Sequence, residues 1–203
     1  MGGTGFIGNK LVNVLGRRGH DVVAASLRSG VDAITGEGLD AALQGVDAVV
    51  DVLNAPSFEP GAVLKFFETS TRHLLAAEIA AQVKHHVVLS IVGIEGLPDN
   101  GYFRAKVAQE ALVRASAVPF TIVRATQFFD FIGGFAQPDA KDSIVRPTPA
   151  LMQPVAADDV VVRDPQAPYF GAVLGLESLV AGEDARLGKT NFADWLRLSV
   201  AGG

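Results

Sequence analysis

The sequence predicts an α/β fold in which a doubly wound, mostly parallel sheet is covered by helices on both faces. Short apolar runs with the composition of strands alternate along the chain with longer stretches of helical periodicity. Each predicted strand is nearly all apolar, which is typical of a parallel sheet buried on both sides. A length of 203 residues with 49% hydrophobic side chains fits one compact domain, so we expect a single domain over 1–203.

The first predicted element is a glycine-rich turn, Gly2-Gly3-Thr4-Gly5-Phe6-Ile7-Gly8, which leads directly into a helix. Gly2, Gly5 and Gly8 are spaced three residues apart. Glycine is required where the backbone adopts a positive φ, where a ligand approaches the backbone closely, or where a helix packs closely. Apolar residues then recur at helical spacing before a stop at Gly19: Ile7, Leu11, Val14 and Leu15. Such a turn directs free N–H groups and the positive end of a helix at one point, which suits a phosphate group.

The remaining elements follow from apolar runs and their punctuation. Strands are predicted at 20–26, 31–34, 46–53, 86–92 and 120–124. Helices are predicted at 39–43, 61–83 and 102–115, with short ones opening at 158 and 191. Beyond Phe131, prolines and glycines punctuate the chain, and 131–203 is predicted to be a mostly loop-like tail.

Ligands on parallel sheets bind beyond the carboxyl ends of the strands, so the residues that close the predicted strands are candidates for a site. They are Ser26 with Arg28, Asn54, Ser90, and Ala125 with Thr126.

Tyr102 and Lys106 stand one helical turn apart on one face of the predicted helix 102–115. A phenol titrates near pH 10, and an ammonium within about 4–6 Å would lower its pKa by about one to three units. The pair could therefore exchange a proton with a ligand, while Ser90 could donate a hydrogen bond where negative charge develops. Each residue also has an ordinary explanation: a solvated helix face for the pair, and a strand-end hydroxyl for Ser90.

Together these motifs resemble the short-chain dehydrogenase/reductase superfamily, and in detail its atypical, NmrA-like NAD(P)H-binding branch. Four segments carry the resemblance: Gly-Gly-Thr-Gly-Phe-Ile-Gly at 2–8, Val-Leu-Ser-Ile-Val-Gly at 88–93, Tyr-Phe-Arg-Ala-Lys at 102–106, and Thr-Ile-Val-Arg-Ala-Thr-Gln-Phe at 121–128. The resemblance is close up to about Val160 and looser beyond it. It implies a Rossmann-like, NAD(P)-binding domain with 131–203 as its substrate-side tail.

The resemblance also implies roles for individual residues. The pyrophosphate of the cofactor would lie against Gly2, Thr4, Gly5, Phe6, Ile7 and Gly8. Ser26 and Arg28 would meet the adenosine 2′-phosphate, and Asn54 would lie beside the cofactor. The catalytic set would be Ser90, Tyr102 and Lys106, with Tyr102 as proton donor and Lys106 tuning it and holding the nicotinamide ribose. The substrate pocket would be lined by Gln127, Phe128 and Phe129.

The cofactor preference has a physical argument of its own. NAD binders place a carboxylate at the end of the second strand, where it accepts hydrogen bonds from the ribose hydroxyls. Positions 24 to 31 contain no acid, and the Arg28 guanidinium is suited to a phosphate. NADP(H) is therefore expected in preference to NAD(H), the alternative being that Arg28 is an ordinary surface arginine.

Two departures from the family's pattern stand out. The family's first strand, which lies in the middle of its sheet, should precede the glycine turn, but the chain begins at Met1. Beyond Val160 the chain is also shorter than the family's. Loss of a central strand leaves buried backbone groups unpaired at about 1–3 kcal/mol each. The sequence therefore indicates either a protein whose true start lies upstream of Met1 or a remnant of an NADP-dependent reductase.

Composition excludes other classes of function. The net charge of −5 without a basic run argues against nucleic acid and membrane surfaces, and the absence of Cys excludes disulfides and thiol chemistry. His85-His86 lacks partners at metal-ligand spacing, so no metal is expected. We expect a cytoplasmic protein with a small-molecule substrate; a homodimer stays open.

Three interpretations follow. The first is an NADP(H)-dependent oxidoreductase acting on a small carbonyl or quinone-like compound. The others are a non-catalytic NADP(H)-binding redox sensor or regulator, and a truncated chain that binds no cofactor.

Overall fold

The computed structural model describes residues 1–131, 154–160, 189–190 and 194. The helices are α1 (Phe6–Arg17), α2 (Leu39–Leu43), α3 (Pro60–Ala80), α4 (Gly101–Ala115) and α5 (Ala157–Val160). The strands are β1 (Ala48–Asp51), β2 (His85–Ile91) and β3 (Phe120–Ala125), with 3₁₀ turns at Leu27–Ser29 and Ile94–Gly96. The predicted helices up to residue 115, and the predicted strands that contain β1, β2 and β3, are confirmed apart from their end residues.

The described strands form one sheet in the order β1-β2-β3. β1 and β2 are parallel, with Ala48 opposite His85 and Asp51 opposite Val88. β2 also follows β3 in a parallel register, because His86 N bonds Pro119 O at 2.8 Å and Val92 N bonds Ala125 O at 3.0 Å with the same offset along both strands. The predicted α/β fold with a parallel sheet flanked by helices is confirmed.

One face of β2 lies under α3 and α4. His86, Val88 and Ser90 are buried on that face, and their neighbours in sequence are only half-buried. Leu75 of α3 and Val113 of α4 pack with Val88 in a common apolar cluster. Burial of such side chains contributes about 1.5–3 kcal/mol each, which fixes both helices on the sheet. Ser90 is therefore held on the same face as these helices, near the carboxyl end of its strand.

Two predicted strands are wrong. Residues 20–26 form no strand, because a strand needs a continuous ladder of backbone bonds. Gly3 N donates to Ala25 O at 3.1 Å, but among the described residues no ladder of such bonds extends along 20–26. Residues 31–34 turn instead, because the Asp32 carboxylate accepts from Ile34 N at 2.7 Å, a local bond that competes with strand pairing.

Met1 lies beside the end of β1. Its amino group donates to Val50 O at 2.6 Å, and Val52 N donates to Met1 O at 3.2 Å. The Met1 side chain enters an apolar cluster with Val49 and Leu74. These contacts hold the start of the glycine loop against the carboxyl end of β1.

The chain divides into two compact units. One comprises 1–90 with 94–123, and the other comprises 91–93 with 124–203. In the second unit, Phe128 and Val155 form a parallel bridge, and α5 begins two residues after Val155. The predicted tail 131–203, the shortening after Val160 and the helix at 191 fall almost wholly outside the described residues.

Candidate active site

The glycine loop is a tight turn at the start of α1. Gly2 has a φ of 75°, in the left-handed region that favours glycine. Gly5 N donates to Gly2 O at 2.9 Å and closes the turn. A Cβ on Gly8 would collide with Gly2 O, so the first turn of α1 packs on the loop only with glycine at that position.

The amino end of α1 is suited to an anion. Gly5 precedes the helix and supplies no side-chain cap, and the first turn carries no acidic residue. The first amides of a helix have no acceptor within it, so they can donate to a phosphate there. Thr4 and Gly5 are exposed, Phe6 is exposed and Ile7 is half-buried, which leaves the loop accessible.

Ser26 and Arg28 lie next to the glycine loop through the bond from Gly3 N to Ala25 O. Ser26 is buried, and its Oγ has no hydrogen-bond partner among the described residues. Arg28 is exposed on the 3₁₀ turn that follows Ser26. An unpaired hydroxyl beside a free-standing guanidinium is a donor set that fits a phosphate.

Asn54 and Tyr102 are in direct contact. The Tyr102 hydroxyl donates to Asn54 Oδ1 at 2.8 Å. Asn100 caps α4 by accepting from Tyr102 N at 3.0 Å, which fixes where the helix begins. The phenol ring lies between the rings of Phe58 and Phe67, at centroid distances of 5.4 and 5.8 Å.

The expected lowering of the Tyr102 pKa by Lys106 is wrong for this ligand-free chain. Burial raises the pKa of Tyr102 to about 12. The aromatic surroundings disfavour the phenolate, and the Lys106 ammonium is engaged elsewhere.

Lys106 is 3% exposed and is held on three sides. Its Nζ donates to Leu89 O at 2.8 Å and to Gln109 Oε1, and it lies 4.6 Å from the centre of the Phe67 ring. Burial lowers the pKa of Lys106 to about 8, against the opposing influence of Asp51 and Glu110.

Ser90 lies one residue before the end of β2. It is buried, and its Oγ has no hydrogen-bond partner within the described part of the chain. The hydroxyl therefore contacts neither Tyr102 nor Lys106 by a hydrogen bond. An unpaired buried hydroxyl costs about 1–3 kcal/mol, which a ligand oxygen would relieve.

Two residues that the sequence analysis missed belong to this arrangement. Gln109 Nε2 donates to Asp51 Oδ2 at 3.0 Å, and both residues are 1% exposed. The signals were a carboxylate at the end of an apolar strand and an amide three residues after Lys106 on the same helix face.

The predicted substrate residues lie in the second unit. Val155 N donates to Gln127 O at 2.8 Å, and Phe129 N donates to Val155 O at 3.0 Å. Phe128 and Phe129 are buried, and Gln127 Oε1 is buried without a hydrogen-bond partner among the described residues.

A cavity of about 260 Å³ opens beside Asn54. Its lining is mostly apolar and comprises Ile34, Ala55, Pro56, Ser57, Ala62, Lys65, Phe66 and Thr69. A cavity of about 450 Å³ lies instead at the amino ends of β2 and β3, between Val83 and Pro119, away from the end where sheets of this kind bind ligands.

Within the residues that the structure describes, no three His, Asp or Glu side chains cluster as metal ligands. Among the same residues, no helix combines the length and the apolar character that a membrane crossing requires.

Comparisons with known sequences agree with this geometry. A family model described as NAD(P)H-binding matches residues 2–146. A curated relative, the (4-alkanoyl-5-oxo-2,5-dihydrofuran-3-yl)methyl phosphate reductase of Streptomyces griseus subsp. griseus, is 34% identical over 143 residues. That match covers 63% of this chain and 46% of the relative, so the chain spans about half the relative's length.

Solved structures share the fold at low identity. The triphenylmethane reductase of Citrobacter sp., complexed with NADP(H), matches with a TM-score of 0.55 at 15% identity, covering 79% of this chain and 61% of that one. A nucleoside-diphosphate-sugar epimerase from Staphylococcus aureus matches with a TM-score of 0.57 at 15% identity, covering 79% of this chain and 62% of that one.

Proposed function

This chain belongs to the NAD(P)H-binding family, and we propose that it is an NADP(H)-dependent oxidoreductase acting on a small carbonyl or quinone-like compound. One observation carries the proposal: the segment 51–54 touches both the glycine loop and α4. Gly2 packs against Val52 so closely that a Cβ would lie 3.0 Å from Val52 O. Asn54 accepts from Tyr102, and Asp51 accepts from Gln109, which bonds Lys106. The glycine loop and the Tyr-x-x-x-Lys helix therefore meet at the carboxyl end of β1, which supports one shared site.

The residues present fit the cofactor. The pyrophosphate would lie against the glycine loop, with the amides of the first turn of α1 as donors: Gly2, Thr4, Gly5, Phe6, Ile7 and Gly8 form this surface. Ser26 and Arg28 would take the 2′-phosphate, which favours NADP(H) over NAD(H). The apolar cavity beside Asn54 has room for a planar base. Lys106 would hold the nicotinamide ribose with its ammonium group.

The proposed catalytic roles are supported by the positions of three side chains. When bound, NADPH supplies a hydride. The Tyr102 hydroxyl, held by Asn54, would transfer its proton to the substrate oxygen, and the unpaired Ser90 Oγ would donate a hydrogen bond to that oxygen. The resulting phenolate would then be reprotonated from water.

The substrate class is supported by the curated relative. Its name describes a reductase of a small methyl phosphate ester that carries an alkanoyl group and an oxo-dihydrofuran ring. Gln127, Phe128 and Phe129 are proposed to line the pocket, since the two buried rings suit the apolar part of a small carbonyl compound.

A second candidate is a non-catalytic NADP(H)-binding sensor or regulator. The observation that favours it is the environment of Tyr102, whose hydroxyl bonds Asn54 and whose pKa is raised to about 12 by burial. A phenol in this state is a weak acid, so the same site could bind the dinucleotide without transferring a proton.

The cofactor proposal is tested by titrating the chain with NADPH and with NADH while following nicotinamide fluorescence. We expect saturable binding of both, with NADPH about tenfold tighter or more because of its extra charged contact. Equal affinities would contradict the NADP(H) preference. If neither dinucleotide binds, the result would support the third interpretation, a truncated chain that binds no cofactor.

Tyr102→Phe separates the enzyme from the sensor. In an enzyme the variant keeps its NADPH affinity and loses about 100-fold or more in NADPH oxidation with a panel of simple aldehydes and quinones. A sensor shows no turnover with that panel before or after the substitution.

A cytoplasmic location, a homodimer and the NmrA-like branch stay predictions. Size-exclusion chromatography with light scattering checks the assembly.

A further inference from the structure

A buried polar chain runs behind the Tyr-x-x-x-Lys face of α4. It starts at Asp51, whose Oδ1 accepts from Leu53 N at 3.0 Å and whose Oδ2 accepts from Gln109 Nε2 at 3.0 Å. It continues from Gln109 Oε1 to Lys106 Nζ. Asp51, Gln109 and Lys106 are each 3% exposed or less, so water does not substitute for these bonds.

The orientation of the Gln109 amide is fixed by chemistry. An ammonium only donates and a carboxylate only accepts, so the carbonyl oxygen must face Lys106 and the amide nitrogen must face Asp51. A neutral side chain with one acceptor and one donor end is what this position requires.

We propose that Asp51 and Gln109 are positioning residues for Lys106: the Asp51 carboxylate orients the Gln109 amide, and the amide holds the ammonium in its place and its charged form. Only the identity of the group that the ammonium binds rests on the proposed function; the positioning of Lys106 does not. Leu89 O and Gln109 Oε1 take two of its three N–H groups, and the third has no hydrogen-bond acceptor among the described residues, so it is available to a ribose hydroxyl.

The charged surroundings of Lys106 support this role. From β1 it faces Asp51, and on its own helix it faces Glu110, whose carboxylate lies 2.7 Å from Arg114 Nη2. From β2 it faces the Leu89 carbonyl, and from α3 the Phe67 ring, neither of which titrates. Both carboxylates oppose the loss of the lysine proton that burial favours.

The test uses the ligand-free chain, so it does not depend on cofactor binding. With lysines carrying ¹³C at Cε, the Lys106 resonance is assigned by its loss in Lys106→Arg and then followed against pH. Asp51→Asn removes the counter-charge and is expected to lower the titration midpoint by about one pH unit. Gln109→Met removes the acceptor of the ammonium while keeping a side chain of similar volume, and it is expected to lower the midpoint by a similar amount.

Asp47→Asn is the matched control. Asp47 directly precedes β1, the strand that ends at Asp51, and its carboxylate pairs with the exposed Lys84. The control is expected to leave the midpoint unchanged. A merely structural role for Asp51 and Gln109 would leave the midpoint where the control has it. An unchanged or raised midpoint in either variant would overturn the proposal.

If Asp51→Asn fails to fold, Gln109→Met decides alone: a lowered midpoint supports the proposal, and an unchanged or raised one overturns it. NADPH affinity at pH 7 then distinguishes a failure of the positioning role from a failure of the proposed cofactor function. Shifted midpoints without any NADPH binding would support the positioning role and reject the cofactor function.

Discussion

At the scale of single residues, Arg28 and Ser26 offer a ligand one guanidinium and one unpaired hydroxyl beside the glycine loop. Within the described part of the chain, no structural role explains the presence of either group. Arg28 lies on the surface, and the buried Ser26 Oγ leaves a hydrogen bond unmade. The 2′-phosphate of NADP(H) would satisfy both, and NAD(H) would satisfy neither.

Arg28→Ala is therefore expected to weaken NADPH binding about tenfold while leaving NADH binding unchanged, because only the phosphate contact is lost. Fluorescence titration with both dinucleotides measures the change. Arg17→Ala is the matched control, since Arg17 is exposed at the other end of α1, about 18 Å along the helix from the loop. An equal loss for NADPH and NADH would contradict the assignment of Arg28.

The chemistry of Tyr102 and Lys106 was only half predictable from their spacing. Spacing places the two residues on one helix face, but it does not say which acceptor a long lysine side chain reaches. Here Lys106 Nζ reaches Leu89 O and Gln109 Oε1, and Tyr102 reaches Asn54. Asp51 and Gln109 went unnoticed because their pairing joins a strand to a helix far apart in the sequence.

At the scale of elements, the glycine loop and α1 pack directly against each other. Gly8 lies on the first turn of α1 and leaves no space for a Cβ against Gly2 O. Gly16 lies near the end of the same helix, where a Cβ would meet nothing within 4 Å. A side chain is therefore excluded at Gly8 and tolerated at Gly16.

Gly8→Ala is expected to push the loop from α1, to cost about 1–3 kcal/mol of stability, and to abolish NADPH binding. Gly16→Ala, its matched control, is expected to stabilise the chain by up to about 1 kcal/mol and to keep NADPH binding. Urea unfolding and fluorescence titration measure both effects. Unchanged NADPH binding in Gly8→Ala would contradict the role of the loop.

Helices and buried strands were predicted well because their signals are local: apolar periodicity, caps and glycine stops. Residues 20–26 have the composition of a strand, but composition does not supply a partner for the ladder. Residues 31–34 turn because one side chain, Asp32, bonds a neighbouring amide. The first outcome depends on a pairing partner that no window of sequence contains, and the second on a local bond that competes with the strand composition of 31–34.

At the scale of the whole molecule, the family match confirms the NAD(P)H-binding family that the motifs indicated. The roles of the individual residues stay predictions, since fold and family do not determine chemistry. Buried charge connects the candidate site to the stability of the chain. Lys106, 3% exposed, has a pKa lowered to about 8 by burial, against an ordinary value of 10.5.

This shift predicts the pH dependence of folding. Between pH 8 and 10.5 the unfolded chain keeps the Lys106 proton and the folded chain does not, so raising the pH favours folding by about 1.4 kcal/mol per unit. From pH 8 to pH 9.5, the free energy of unfolding of the wild type should thus rise by up to about 2 kcal/mol relative to Lys106→Met. Urea unfolding at both pH values measures the difference, and parallel behaviour of the two proteins would contradict the shift.

We propose that the glycine loop, the segment 51–54 and the start of α4 form one dinucleotide site. Hydrogen–deuterium exchange with and without NADPH reports on all three segments in one experiment. We expect NADPH to slow exchange in 2–8, 51–55 and 101–106 together, and to leave the amino ends of β2 and β3 unchanged. Protection confined to other segments, or absent at saturating NADPH, would contradict it.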